Sequence, residues 1–326
     1  DRPLTRALTR KVLIIRQAIK LAYTIASTRC AFDLTTASPD SCTAQVSPVM
    51  RILCLHGVGS SGIICESQLH PFIRACDPSY EFIFVDGPAP SDRGPGMGAF
   101  LDGPFYSHTN GYDPGSMASA IEHLETIIDE SGPFNGVLGF SQGAALALSY
   151  MHLQQTRNEP IAFKFALCFS SVIPCSADED FGEGVIQRLC PLRLNLDGIG
   201  SMSVEMQTDE ETLFNDLLRR TVIPAQENNS LLPNYDMAVY TRGDFSKAPR
   251  LMHPNLTRHK IRVPTVHITG KRDADFMRNM ADAARGLCDE KTLKKLEHNG
   301  GHQPPQKDAE VKAAIRAMEW AISRSV

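Results

Sequence analysis

No apolar run in this sequence approaches the roughly 18 residues that a membrane-spanning helix requires, so nothing in it reads as a transmembrane segment. Charge of one sign is not in surplus either. The 33 Lys and Arg stand against 37 Asp and Glu, a formal net charge of -4 with a pI near 6.2. Such a balance gives no electrostatic footprint for nucleic acid or another polyanion. Paired cysteines are also missing: the nine cysteines are odd in number and scattered, with no C-x-x-C pair, which argues against a disulfide framework or a structural zinc site. Cys54 and Cys168 fall inside apolar runs and read as small buried hydrophobes. A reducing, cytoplasmic compartment is expected. Neither an internal repeat nor a low-complexity tract is visible. What is present, 326 residues of which 42% are hydrophobic and 21% charged, suffices for one large α/β core with an insertion, or for two domains.

The chain is organised around residues 134–148. A short apolar strand, Gly136 to Leu138, runs into Gly139-Phe140-Ser141-Gln142-Gly143 and then into an Ala/Leu-rich run of helical propensity. That is G-x-S-x-G in a strand-turn-helix setting, the arrangement that presents a nucleophilic serine on a strained turn. Small residues at 139 and 143–145 let strand and helix pass closely. With Ser141 at the mouth of the helix, the Gln142 N–H is expected where a tetrahedral oxyanion forms. A Gly-Ser turn in an ordinary β-α unit is the competing reading.

Taken in order, residues 1–49 form a basic amphipathic extension. Apolar residues from Leu4 to Ala22 recur at helical spacing, with Arg6, Arg10, Lys11, Arg16 and Lys20 between them. A mitochondrial-type targeting helix, a surface helix docked on the domain and an appendage outside the catalytic fold are the three readings; the appendage is preferred, because Met50 stands where a complete domain could begin. The first strand, Arg51–Leu55, ends in His56-Gly57-Val58-Gly59-Ser60-Ser61-Gly62. Gly57, Gly59 and Gly62 fit G-x-G-x-x-G, and Asp86 ends the next strand (Phe82–Val85), as a dinucleotide site requires. The alternative is a His-Gly loop whose Val58 N–H is the second oxyanion donor. No Tyr-x-x-x-Lys pair accompanies the glycines, and the downstream elbow favours the second reading. The Pro/Gly-rich stretch from Gly87 to Tyr106 cannot continue a helix or strand, and loops leaving the carboxyl ends of strands surround the site in open α/β sheets. Phe105 and Tyr106 are therefore read as lining a substrate entrance, with simple packing as the competing reading of an aromatic pair.

Met117–Ile128 reads as a helix and Phe163–Phe169 as a buried strand. Residues 175–262 then form an insertion, with a helix at Glu210–Arg219 and turns at Asn228-Asn229-Ser230 and Pro233-Asn234. Connections in α/β units are usually short, so a cap or lid over the site is expected; a decorative surface insertion is the other reading, less favoured because the ends of the segment must leave from the active-site edge. The strand Pro264–Gly270 is followed by Lys271-Arg272-Asp273-Ala274-Asp275. Its G-x-x-D spacing makes Asp273 the first choice for a carboxylate that orients a histidine, Asp275 the second, and Asp178 or Asp180 the third. Glycines before and prolines after His302 describe a tight loop able to hold one imidazole against Ser141, whereas His298 reads as structural. Asp308–Ile322 closes the fold as a helix. Serine, aspartate and histidine follow one another as in an α/β-hydrolase.

The set Leu55-His56-Gly57, Phe84-Val85-Asp86-Gly87-Pro88, Gly139-Phe140-Ser141-Gln142-Gly143, Gly270-x-x-Asp273 and His298-x-x-Gly301-His302-x-x-Pro305 resembles the FSH family of serine hydrolases, from about Met50 to the end of the chain. The resemblance implies an α/β-hydrolase fold, a mostly parallel doubly wound sheet with an inserted cap or lid. It implies a catalytic set of Ser141, Asp273 and His302, with the Val58 and Gln142 amides as the oxyanion hole. It also implies an ester or thioester substrate of the kind found in fungal polyketide pathways, with an acyl carrier protein as a possible partner. The chemistry calls for no metal or organic cofactor. A general carboxylesterase and a non-catalytic binding module are the other expectations.

Overall fold

The computed structural model describes residues 49–99, 101–189, 208–231, 237–240 and 245–325. The basic amphipathic segment and the Pro233-Asn234 turn lie outside the described residues. Ten strands and eight helices are described here: β1 (Met50–Leu55), α1 (Gly62–Ala75), β2 (Tyr80–Val85), β3 (Ala89–Pro90), β4 (Tyr106–Ser107), α2 (Pro114–Ser131), β5 (Gly136–Phe140), α3 (Gln142–Thr156), β6 (Phe165–Phe169), β7 (Cys175–Ser176), α4 (Glu183–Leu189), α5 (Asp209–Arg220), α6 (Val222–Glu227), β8 (Arg250–Leu251), β9 (Thr265–Gly270), α7 (Asp275–Gly286), β10 (Leu293–His298) and α8 (Asp308–Ser323).

Six strands make one sheet in the order β10-β9-β6-β5-β1-β2, and every pairing in it is parallel. A parallel sheet is buried on both faces, so its strands carry apolar residues on both. Alternation divides these between two layers. Leu53, Leu55, Val137, Ala166 and Cys168 face a core shared with α2 and α3. Ile52, Cys54, Leu138, Phe140, Leu167 and Phe169 face the core under α1 and α8. The interior of α3 is buried almost throughout, and for that reason its sequence reads as an Ala/Leu run with no polar stripe. The outer strands differ. β10 carries Lys294 and Lys295, charges that protect a sheet edge from further pairing, and the Lys294 ammonium sits 4.5 Å from the centre of the Trp320 ring.

The chain leaves β1 for β2 on one side and later returns to β5 on the other. Loops after β1 and β5 therefore diverge, leaving a crevice at the carboxyl ends of these two strands. Ser141 follows β5, and His56-Gly57-Val58 follows β1. The long connection between β6 and β9 is closed at its base by β7 and β8, which pair antiparallel with Cys175 opposite Leu251. Within it, α5 opens with a capping box: Thr208 Oγ1 accepts from Glu211 N–H, and the Glu211 carboxylate accepts from Thr208 N–H. Phe214, Leu217 and Leu218 are buried one helical turn later. Burying a side chain such as Phe214 contributes about 2 to 3 kcal/mol, which fixes this helix to the body of the domain.

Candidate active site

Ser141 has φ 52° and ψ -112°, a backbone conformation that is costly for a residue with a side chain and persists only when its surroundings hold it. The holding contacts are visible. Ser141 N–H donates to Phe169 O at 2.9 Å, and Ser141 O accepts from Ala145 N–H at 3.1 Å and from Val172 N–H at 3.4 Å. A Cβ on Gly143 would lie 2.3 Å from Leu55 O, so only glycine lets α3 start this close to β1.

His302 meets Ser141 from the loop after β10. Its Nε2 lies 3.0 Å from Ser141 Oγ and its Nδ1 lies 2.7 Å from Asp273 Oδ2. Asp273 Oδ1 accepts from Ala274 N–H at 2.8 Å, and the Asp273 side chain is only 5% exposed. An acceptor-only carboxylate at Nδ1 sets the tautomer: Nδ1 carries the proton and Nε2 is left to accept from the serine hydroxyl. The two loops involved are laced together, with Lys271 N–H donating to His298 O at 2.8 Å and Arg272 N–H to Gly300 O at 2.9 Å. Gly270 permits the approach, since a Cβ there would lie 2.1 Å from Gly301 O.

The other carboxylates that spacing left open are placed elsewhere. Asp275 starts α7, is 87% exposed and pairs with Arg278. Asp178 and Asp180 hydrogen-bond within their own turn, where Asp178 Oδ1 accepts from Asp180 N–H. His298 is buried, its Nδ1 accepting from Gly300 N–H at 3.0 Å, and burial pushes its pKa down.

Two peptide units beside the serine have their carbonyls hydrogen-bonded within the protein. In a trans peptide the C=O and the following N–H point in opposite directions. Gly57 O accepts from His56 Nδ1 at 2.6 Å and Ser141 O is taken by Ala145 and Val172. The Val58 and Gln142 N–H groups are thereby directed away from those contacts; both residues line the cavity at Ser141, and neither amide donates to a protein acceptor among the described residues. Two such donors beside a nucleophile suit an oxyanion.

The glycine fingerprint does not form a nucleotide cradle. The N-terminus of α1, where a pyrophosphate would sit, is already engaged: Gly62 N–H donates to Asp86 Oδ1 at 2.8 Å and Ile64 N–H to Ser61 Oγ at 3.3 Å. A carboxylate in the anion position of the helix excludes a second anion.

The cavity, of about 460 Å³, is lined by Ser141, His302, Val58 and Gln142 together with Met97, Leu101, Tyr112, Ile173, Cys175, Val222, Leu231, Leu251, Met277 and Met280. It is mainly apolar, with polar side chains near Ser141. Cys175 is a buried thiol whose pKa is pushed up to about 12 by burial, so it acts there as an apolar wall atom. Phe105 and Tyr106 are not among the residues that line this cavity. Tyr106 is drawn into β4, and its amide and carbonyl bond the backbone of Ser60, while Phe105 lies against the Arg93 guanidinium, 5.5 Å from its ring centre. Tyr112 takes the lining position instead. Sequence reasoning also missed the Gln142 side chain, whose Oε1 accepts from His108 N–H at 2.9 Å and whose Nε2 donates to Ser107 Oγ at 3.0 Å and to Tyr112 Oη at 3.3 Å. The polar run Ser107-His108-Thr109, unusual after so many breakers, was the available signal. Apolar spacing at Phe276, Met277 and Met280 was the corresponding signal for α7.

A parallel sheet with a serine on a strained turn at its switch point, and with Ser, Asp and His in that order along the chain, defines the α/β-hydrolases. The family described as serine hydrolase (FSH1) matches residues 46–314. The esterase alnB of Emericella nidulans is 35% identical over 276 residues, which span 84% of this chain and 97% of that protein. The serine hydrolase cnsH of Penicillium expansum is 28% identical over 239 residues, spanning 71% and 95%. Among solved structures, that of SOBER1 from Arabidopsis thaliana overlays with a TM-score of 0.44 at 16% identity, covering 84% of this chain and 99% of that one. The chain belongs to the FSH1 family of serine hydrolases, and it is a serine hydrolase of the esterase kind. Among the described residues, no helix is long and apolar enough to cross a membrane.

Proposed function

We propose that this enzyme cleaves an ester or thioester of a mainly apolar acyl chain through an acyl-serine intermediate, and that it releases or trims a polyketide-type acyl chain in a fungal pathway. One observation carries the reading: the unbroken hydrogen-bonded chain from Asp273 through His302 to Ser141, ending on a serine in a strained conformation. Ser141 Oγ attacks the acyl carbonyl as His302 Nε2 takes its proton, and Asp273 holds the imidazole and offsets its positive charge. The Val58 and Gln142 amides stabilise the oxyanion, each by about 3 to 4 kcal/mol. His302 returns the proton to the leaving oxygen or sulfur, and water activated by the same imidazole releases the acid.

The largely apolar lining supports an acyl chain as the buried part of the substrate. Residues 175–262 act as its cap, a role supported by Val222, Leu231 and Leu251 in the cavity wall. The six described cysteines are all free thiols, which supports a reducing, cytoplasmic setting. The test compares one acyl group presented as a carrier-protein thioester, a small-molecule thioester and a simple ester. Preference for the carrier-linked substrate supports chain release from an acyl carrier protein. Equal turnover of the simple ester assigns the enzyme to general carboxylester hydrolysis.

A further inference from the structure

The oxyanion peptides lie on two loops separated by more than 80 positions, and a third loop ties them together. His108 is 2% exposed and is bonded to both. Its backbone N–H donates to Gln142 Oε1 at 2.9 Å, and its ring Nε2 lies 3.1 Å from His56 O. A carbonyl can only accept, so His108 Nε2 carries the proton. The His108 ring also stacks on the His56 ring, with centres 4.3 Å apart. His56 is itself fixed in one tautomer. Gly87 N–H donates to its Nε2 at 2.9 Å, so its proton sits on Nδ1 and points at Gly57 O, 2.6 Å away. That bond sets the plane of the Gly57-Val58 peptide.

From these contacts we infer that His108 is a positioning residue for the oxyanion hole, holding the Val58 peptide through His56 and the elbow through the Gln142 side chain. The inference rests on the reading of Val58 and Gln142 as oxyanion donors. Its chemistry is geometric. Donors act on a developing oxyanion only when they are held where that charge appears, and an error of about 1 Å costs on the order of 100-fold in rate. Loss of the tie therefore weakens the transition state and leaves ground-state binding in the apolar cavity largely untouched.

The test uses the full chain and a 4-nitrophenyl acyl ester, with kcat and KM measured separately. His108→Phe keeps a ring to stack on His56 and removes the Nε2 donor; His108→Gln restores an N–H donor at similar reach. The expected result is a fall in kcat of about tenfold to 100-fold in His108→Phe with KM within about threefold, affinity for an alkyl boronic acid falling in parallel, and recovery of most of the loss in His108→Gln. Gln142→Met, which removes the acceptor of the His108 amide but keeps the Gln142 N–H, carries the same signature should the phenylalanine variant not fold. A kcat within twofold of wild type in the folded phenylalanine variant, or a glutamine variant as impaired as the phenylalanine one, overturns the inference while wild-type activity and its loss in Ser141→Ala leave the hydrolase reading standing. A wild type that neither turns over esters nor reacts with a fluorophosphonate defeats the oxyanion reading itself, and the positioning role with it.

Discussion

His302 Nε2 stands 3.0 Å from Ser141 Oγ across 161 positions of sequence. The distance is that of a hydrogen bond, and the imidazole is backed by a carboxylate with a 5% exposed side chain. A serine hydroxyl is a weak nucleophile until a base of this kind is in reach.

Ser141→Ala is expected to lower ester hydrolysis by roughly four orders of magnitude or more and to abolish fluorophosphonate labelling seen by intact mass. The circular dichroism spectrum should be unchanged, because alanine fits the space. Turnover near wild type in this variant removes Ser141 from the mechanism.

Replacing Asp273 by Asn is expected to cost about 10⁴ in kcat, since the amide can present an N–H to His302 Nδ1 and stabilise the wrong tautomer. Asp275→Asn, on an exposed carboxylate paired with Arg278, should stay within about threefold of wild type. A steady-state comparison of the two decides between them; a loss in Asp275→Asn as large as that in Asp273→Asn means that Asp273 is not the one carboxylate that orients His302.

Gly143→Ala places a methyl 2.3 Å from Leu55 O and 2.7 Å from His56 O, both backbone atoms with little freedom to move. Destabilisation of about 3 kcal/mol or more is expected, read as a drop in the urea midpoint. Retained stability would require that α3 can shift away from β1.

His267 is buried in β9 and its pKa is pushed down to about 3, by burial first and the nearby Arg285 second. The folded state thus binds this proton less readily than the unfolded chain, whose histidine titrates near about 6.5. Stability is full above that value and falls as pH drops from about 6.5 toward 3, because the unfolded state takes up the extra proton. His152, pushed down to about 4 by burial, acts in the same direction. Urea midpoints between pH 7 and pH 4 should fall steadily, with a shallower slope in His267→Phe. An unchanged slope in that variant shows that His267 does not supply the effect.

Much of this molecule is written in short-range pattern. Short continuous apolar runs bounded by turn residues locate the strands Arg51–Leu55 and Pro264–Gly270 to within a residue or two of β1 and β9, because a strand of a parallel sheet is buried on both faces and its run of apolar residues is legible locally. The elbow is local in part: a serine between strand and helix, and Gly139, where a Cβ would lie 2.4 Å from Ala144 Cα, answer to contacts within one turn, whereas Gly143 answers to Leu55 on a strand distant in sequence. Tertiary structure decided what depends on distant neighbours. Asp273 and Asp275 differ by two positions and only the packing of Gly270 against Gly301 puts the first beneath His302 and sends the second to solvent. Tyr106 is held outside the cavity wall by pairing with Ser60 and Phe105 by its contact with Arg93, and His108 and the Gln142 side chain join the site through bonds that span 34 and 52 positions. No periodicity records such contacts, since they arise when loops from three strands meet over one sheet edge, and hydrogen bonding between them is satisfied only in the folded chain.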